Sequence, residues 1–282
     1  MKRLGRGYRM RNGWFALALL LPFSGCDRPE SLLQQGNMAY RRGDAKKAVE
    51  LYERAGRDTS TRAAASYNLG RVYFEQEEFA RAQTLFDQAM PLVLDNPMIR
   101  VYRARAALGA GDMEQGEKDL RLSVRLHPEL GDGHFYLARL LADRGDYEGA
   151  LKTMEGTRGI PGMREAATLL MADWNSQIGK PRVAAALLEE LLSTHGSRYE
   201  TYLKLGRNLK DAGDYGRAEA FLRRGLAINP GDPEGLFQLG IVFEEQSKID
   251  LAIELHKAVV EKGKAPWAEL AEARLKSLET AR

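Results

Sequence analysis

Three arginines stand at a constant interval of 34 residues, Arg71, Arg105 and Arg139, and each has aromatic or amide company nearby: Tyr67, Asn68, Tyr102, Phe135 and Tyr136. A guanidinium holds a carboxylate through paired, charge-assisted hydrogen bonds, and aromatic rings supply rigid contact area for an extended chain. Such groups in a row suit an acidic segment or the C-terminus of a partner protein. Arg207 stands in the same register two intervals further on. The competing reading of the row is a solvated face, neutralised by neighbours such as Glu75 and Asp132.

Covalent and metal chemistry find no equivalent constellation. His127, His134, His195 and His256 are scattered, and none stands at a metal-ligand spacing from another histidine, a cysteine or an acid. No phosphate-binding glycine loop and no nucleophile elbow is present. Cys26 is the single cysteine, so no intramolecular disulfide can form. The expectation is a protein without catalytic residues, cofactor, metal or small-molecule substrate.

The elements that carry the row follow its beat. From Pro29 to Pro266 the chain divides without insertion into seven segments, 29–62, 63–96, 97–130, 131–164, 165–198, 199–232 and 233–266. The eighth residue of each is small (Gly36, Gly70, Ala104, Ala138, Ala172, Gly206, Gly240), and so is the twentieth (Ala48, Ala82, Gly116, Ala150, Ala184, Ala218, Ala252). The twenty-fourth is large: Tyr52, Phe86, Leu120, Met154, Leu188 and Leu222, with His256 the exception. A glycine occupies the fifteenth place in five segments, at Gly43, Gly111, Gly145, Gly179 and Gly213. Small residues let two helices of a hairpin approach, and the large residue fills the volume beside them. This pattern and period resemble the tetratricopeptide repeat. The resemblance implies an all-α fold: a right-handed α-solenoid of seven helical hairpins, each stable only by stacking on its neighbours.

Three features depart from a uniform stack. Residues 267–282 form one more helix, on which Trp267, Leu270, Ala271, Leu275 and Leu278 make an apolar stripe, as a cap over the last hairpin requires. Gly156, Gly159, Pro161 and Gly162 fall where the second helix of the fourth repeat should finish, so that helix is expected to be short, with a bend near 156–164. Arg100 and Arg103 occupy places that are usually apolar and packed. Unpaired burial would be very costly, so either their stems pack while their heads reach water, which is the expectation, or this helix is rotated and its groove differs.

The first 25 residues are of another kind. Lys2, Arg3, Arg6, Arg9 and Arg11 precede an apolar run from Trp14 to Phe23, which is too short to span a bilayer needing roughly 20 residues. A basic stretch, a short apolar stretch and small residues make an export signal. Ser24-Gly25-Cys26 resembles the end of a bacterial lipoprotein signal, which implies lipidation of Cys26 as the mature N-terminus, with residues 26–28 a very short tether. Asp27 resembles the inner-membrane retention signal of enteric bacteria. The resemblance thus implies a lipid-anchored envelope protein facing the periplasm. The chain carries a net charge of +3, but without those five basic residues 37 remain against 39 acidic ones, a net of −2. Nothing in that balance calls for nucleic acid as a partner.

In proteins with tetratricopeptide repeats the first helix of each hairpin lines a concave groove, and the resemblance places Tyr67, Asn68, Arg71, Tyr102, Arg105, Phe135, Tyr136, Arg139 and Arg207 there. A sharper likeness fails. Some co-chaperones of the family clamp a C-terminal carboxylate with two asparagines and several basic residues. Asn37 and Asn68 match the asparagines, but Leu33, Met98 and Tyr102 stand at the basic places. The prevailing use of the family implies a scaffold or adaptor that binds envelope proteins through peptide segments. The alternative is a polysaccharide-binding component of an exopolysaccharide export machine, which would rely on stacking by Tyr67, Tyr102 and Tyr136.

Overall fold

Gly43, Gly111, Gly145 and Gly213 adopt φ values of 80°, 88°, 83° and 79°, and the aspartate after each caps a new helix. Asp44, Asp112, Asp146 and Asp214 accept a hydrogen bond from the backbone N–H three residues on. A left-handed residue ends one helix and the carboxylate satisfies an orphan donor of the next, which makes the tight corner of an antiparallel hairpin. The computed structural model describes residues 28–92, 96–160, 162–196 and 198–280. Its hairpins are α1 (Pro29–Arg41) with α2 (Ala45–Ala55), α3 (Arg62–Glu75) with α4 (Phe79–Ala89), and α5 (Met98–Gly109) with α6 (Met113–Leu126). They continue as α7 (Gly131–Asp143) with α8 (Tyr147–Met154), α9 (Arg164–Gln177) with α10 (Pro181–His195), and α11 (Tyr199–Asp211) with α12 (Tyr215–Ile228). Last come α13 (Pro233–Glu245) with α14 (Ile249–Lys262), then the single helix α15 (Trp267–Thr280). No strand occurs among the described residues.

The small-against-large pattern is a packing contact. A Cβ placed on Gly36, Gly70, Gly206 or Gly240 would meet Tyr52, Phe86, Leu222 or His256 at 2.6, 2.7, 2.5 and 2.6 Å respectively, closer than two carbons can lie. Six of the seven twentieth residues, Ala48, Ala82, Ala150, Ala184, Ala218 and Ala252, are wholly buried, and the large residues beside them are buried too. The core runs as one ribbon. Its apolar clusters change over within single helices, at Ile99 and Val101 on α5 and at Ala172 and Trp174 on α9. Each hairpin therefore completes its neighbour's core, as expected of an α-solenoid.

Arg103 departs from the expected snorkelling. Its Nε lies 2.7 Å from Oδ2 of Asp119, which is buried on α6, and its Nη1 lies 2.9 Å from Asp87 on α4. Arg100 approaches Asp119 at 3.8 Å. The charge stays inside because a carboxylate from the facing helix meets it, so α4, α5 and α6 are tied by ion pairs where five other repeats use Leu69, Leu137, Met171, Leu205 and Leu239.

At α8 the second helix is the shortest of the α-helices, eight residues, and a single 3-10 turn at Glu155–Thr157 follows it. Gly156 lies under the His134 ring, where a Cβ would be 2.5 Å from Nδ1. The cap α15 buries Ala268 and Ala271 and sets Trp267 against Phe237 at 5.5 Å between ring centres. Leu270 does not join the stripe and is 44% exposed. At about 100° per residue it points well away from the line through Trp267, Ala271 and Leu278. Its place on that side is taken by Arg274, whose Nε reaches Glu244 of α13 at 3.1 Å. The segment expected to act as an export signal, Cys26 and Asp27 lie outside the described residues, as does Pro161. Among the described residues no helix is long and apolar enough to cross a membrane.

Candidate functional site

Successive first helices touch one another, α1 on α3, α3 on α5 and α5 on α7, as the inner side of a curved stack requires. The arginine row lies on these helices, and aromatic rings from adjacent repeats bracket the guanidiniums of Arg71 and Arg105. That of Arg71 sits 5.0 Å from the centre of the Tyr40 ring, 5.9 Å from Tyr67 and 5.7 Å from Tyr102. That of Arg105 sits 4.6 Å from Phe74, 5.5 Å from Tyr102 and 4.2 Å from Tyr136. Arg139 lies 6.0 Å from Phe135 and is exposed. Cations over ring faces at these distances are attracted by the ring quadrupole. The rings also brace one another, with Tyr67 edge-on to Tyr102 at 5.9 Å and Phe86 stacked on Tyr102 at 5.7 Å.

None of Arg71, Arg105 and Arg139 has a carboxylate within ion-pair distance among the described residues. Neither Glu75 nor Asp132 neutralises the row. Glu75 instead accepts a hydrogen bond from the Tyr40 hydroxyl, which itself accepts one from Arg71 Nη2 at 3.3 Å. Burial, with the bond to Glu75, pushes the Tyr40 phenol up to about 12, so it remains a neutral donor. The Nε of Arg71 is a buried N–H with no protein acceptor. Between Phe74 and Phe79 on one side and Leu108, Met113 and Leu140 on the other runs a cleft of about 270 Å³, with Arg105 and Arg139 on its wall. An apolar cleft beside two unneutralised guanidiniums can accept a carboxylate together with a neighbouring apolar side chain.

The remaining expected residues fall differently. Asn68 donates to the side-chain oxygen of Asn37 at 3.1 Å, and that oxygen also accepts from Tyr52 at 2.7 Å. The two asparagines are thus engaged with each other. Arg207 is separate from the row and is paired with Glu234 at 3.4 Å. Nearby, Lys204 holds Asp173 at 2.5 Å and Lys210 donates to Gln238 at 2.9 Å, so the inner face of the later repeats satisfies its own charges. Tyr40 and Phe74 were absent from the expected set. Both occupy the twelfth place of their repeats, a place that faces the groove in this architecture, and an aromatic there was the signal. The described histidines do not converge, and no group of three or more metal-ligating side chains occurs among the described residues.

Comparison with known proteins fits this geometry. Tetratricopeptide repeat profiles match residues 39–108 and 178–236 in one form and 102–160 in another. The chain belongs to the tetratricopeptide repeat family. A TPR repeat-containing thioredoxin of Arabidopsis thaliana, TTL4, is 33% identical over 81 residues, 29% of this tetratricopeptide repeat protein and 12% of that one. The chain thus spans about an eighth of that relative. The C-terminal part of a TPR repeat-containing protein of Cytophaga hutchinsonii superposes with a TM-score of 0.72 at 11% identity, over 85% of this chain and 98% of that one. YrrB, described as a TPR protein with an unusual peptide-binding site, superposes with a TM-score of 0.58 at 12% identity, over 67% of this chain and 97% of its own. At such identities these likenesses concern the fold.

Proposed function

We propose that this tetratricopeptide repeat protein is a non-catalytic scaffold or adaptor of the bacterial cell envelope. It captures an acidic or C-terminal segment of a partner protein along its second to fourth repeats and so helps assemble an envelope complex. The observation that carries the reading is the set of three guanidiniums at Arg71, Arg105 and Arg139, all without carboxylates of their own among the described residues and the first two braced by aromatic rings. Rigid, uncompensated cations gain more from a ligand carboxylate than mobile, already paired ones. The address rests on the sequence: the basic and apolar segment ending in Cys26 supports lipidation there, and Asp27 favours the inner membrane.

A polysaccharide guide fits less well. Sugar stacking needs open ring faces, whereas Tyr136 has the Arg105 guanidinium at 4.2 Å from its ring centre and Tyr67 is packed against Tyr102 and Phe86.

The test is site-specific crosslinking in the bacterial envelope from a photoreactive residue at Met113, which is 51% exposed beside the cleft. The expected result is one envelope protein captured through an acidic segment, with capture lost on combining Arg71→Glu and Arg139→Glu. Capture that survives those charge reversals, or capture of glycan alone, defeats the reading.

A further inference from the structure

Among the described residues no helix packs on the outer side of the first hairpin, and the face it turns outward differs from every internal junction. At the tenth place of the repeat, Val72, Ala106, Leu140, Trp174, Asn208 and Val242 are all buried, but Met38 is 50% exposed. In the same corner of the hairpin, Arg41 and Arg42 end α1 and Lys46 and Lys47 stand at the start of α2, all exposed. Arg42 and Lys47 line the same shallow hollow as Met38. No carboxylate among the described residues lies within ion-pair distance of any of the four cations. The single acid in this corner is Asp44, whose carboxylate is engaged in capping α2.

The contrast with the following corners shows that a solenoid does not need this charge. The next three turns carry Glu75, Glu77 and Glu78, then Asp112 and Glu114, then Asp143, Asp146 and Glu148. Only the corner of the terminal hairpin combines a cluster of four cations with an exposed apolar side chain. In sequence, α1 begins at Pro29, immediately after the basic and apolar segment that ends in Cys26.

We infer that the outer corner of the first hairpin, with Met38, Arg42 and Lys47 in one hollow and Arg41 and Lys46 next to them in the chain, docks on an anionic phospholipid surface. Met38 enters the interfacial layer and the four cations meet lipid phosphates. An exposed apolar residue beside a basic cluster is the composition that binds anionic bilayer surfaces. Docking would fix the angle of the solenoid to the membrane, and with it the direction in which the arginine groove opens. This inference rests on the proposed membrane anchoring. The occupant is a lipid surface rather than a second copy of the chain, because two copies meeting through this face would oppose like charges.

The experiment supplies the anchor artificially, so that failure of lipidation and failure of the face are separate outcomes. Among the described residues every core cluster lies between Leu32 and Leu278, so the chain from residue 29 keeps the packing of those clusters. That chain, carrying Met38→Trp and an N-terminal histidine tag, is tethered to nickel-chelating vesicles containing brominated lipids. One set is neutral phosphatidylcholine and the other contains phosphatidylglycerol. Circular dichroism first checks that each variant keeps its helices.

The expected result is quenching at position 38 in phosphatidylglycerol vesicles that is several-fold greater than in neutral ones. It should weaken with salt and vanish when Arg42→Glu, Lys46→Glu and Lys47→Glu are combined. Equal quenching on both vesicles, or quenching that survives the charge reversal, overturns the inference. So does a stable dimer of the untethered chain that Met38→Glu dissolves, since the occupant is then a second copy. If the tethered chain docks as expected while the natural Cys26 carries no lipid, the anchoring falls and the face stands.

Discussion

His256 replaces the large apolar residue of the other repeats, and it is fully buried. Its Nε2 lies 2.7 Å from Glu244, its Nδ1 has no partner, and Glu244 is bridged in turn by Arg274 of the cap. Burial pushes the imidazole below its ordinary 6.5, with Glu244 pulling partly the other way. The unfolded chain therefore takes up a proton near 6.5 that the folded chain resists. The stability contributed by the neutral ring is whole above that pH and is lost as the pH falls below it. His256→Phe repeats the Phe86-on-Gly70 contact already present in the second repeat. Melting temperatures of the parent should fall more steeply than those of this variant between about pH 7 and about pH 5. Parallel curves would mean that the ring titrates alike in the folded and the unfolded chain, so that burial does not shift it. Asp119 poses the complementary case. Asp119→Ala leaves Arg103 among apolar neighbours with only the exposed Asp87, and urea unfolding should show a loss of about 3 kcal/mol. Neither network was legible in the sequence. The deviating residues, His256, Arg100 and Arg103, announced themselves by breaking the pattern, but their partners stand 12 to 30 residues away on other helices.

At the scale of helices and turns, most of the fold could be read in advance, because each rule is local to one hairpin. Small residues face large ones within a repeat, and the left-handed glycine and capping aspartate are adjacent in the chain. The two turns lacking glycine show what the glycine avoids. Glu77 and Ser247 adopt φ of 61° and 60°, where a Cβ crowds the following carbonyl. Glu77→Gly and Ser247→Gly should each relieve about 1 kcal/mol of that crowding, offset in part by the greater freedom of glycine in the unfolded chain. A higher urea midpoint for each variant, with unchanged slope, is the expected reading. A lower midpoint at Glu77→Gly would mean that its side chain holds the turn by contacts worth more than the strain. The cap shows where local reading ends. Leu270 has the right residue type for the stripe but the wrong angle on the helix.

Across the whole molecule the inner face divides into two halves of opposite electrostatic character. The early repeats expose guanidiniums with no internal carboxylate, while the later ones pair Arg207 with Glu234 and Lys204 with Asp173. The sequence register places Arg207 level with Arg105, and the register is correct. What it does not contain is the pairing, since Glu234 comes from the next repeat, 27 residues on. The same limit hid Tyr40 and Phe74, whose rings brace an arginine one repeat further along. The division predicts a difference between two substitutions that look equivalent in the sequence. Arg105→Glu removes an uncompensated cation from the wall of the cleft and should weaken an acidic peptide ligand at least tenfold, since a hydrogen bond to a charged group contributes about 1.5–3 kcal/mol. Arg207→Glu breaks only a half-exposed internal pair and should leave that affinity within about twofold. Titration of a fluorescent acidic peptide, first identified by crosslinking, against both variants decides the matter. Equal losses would mean that the peptide follows the whole inner face and that Arg207 exchanges Glu234 for a ligand carboxylate on binding.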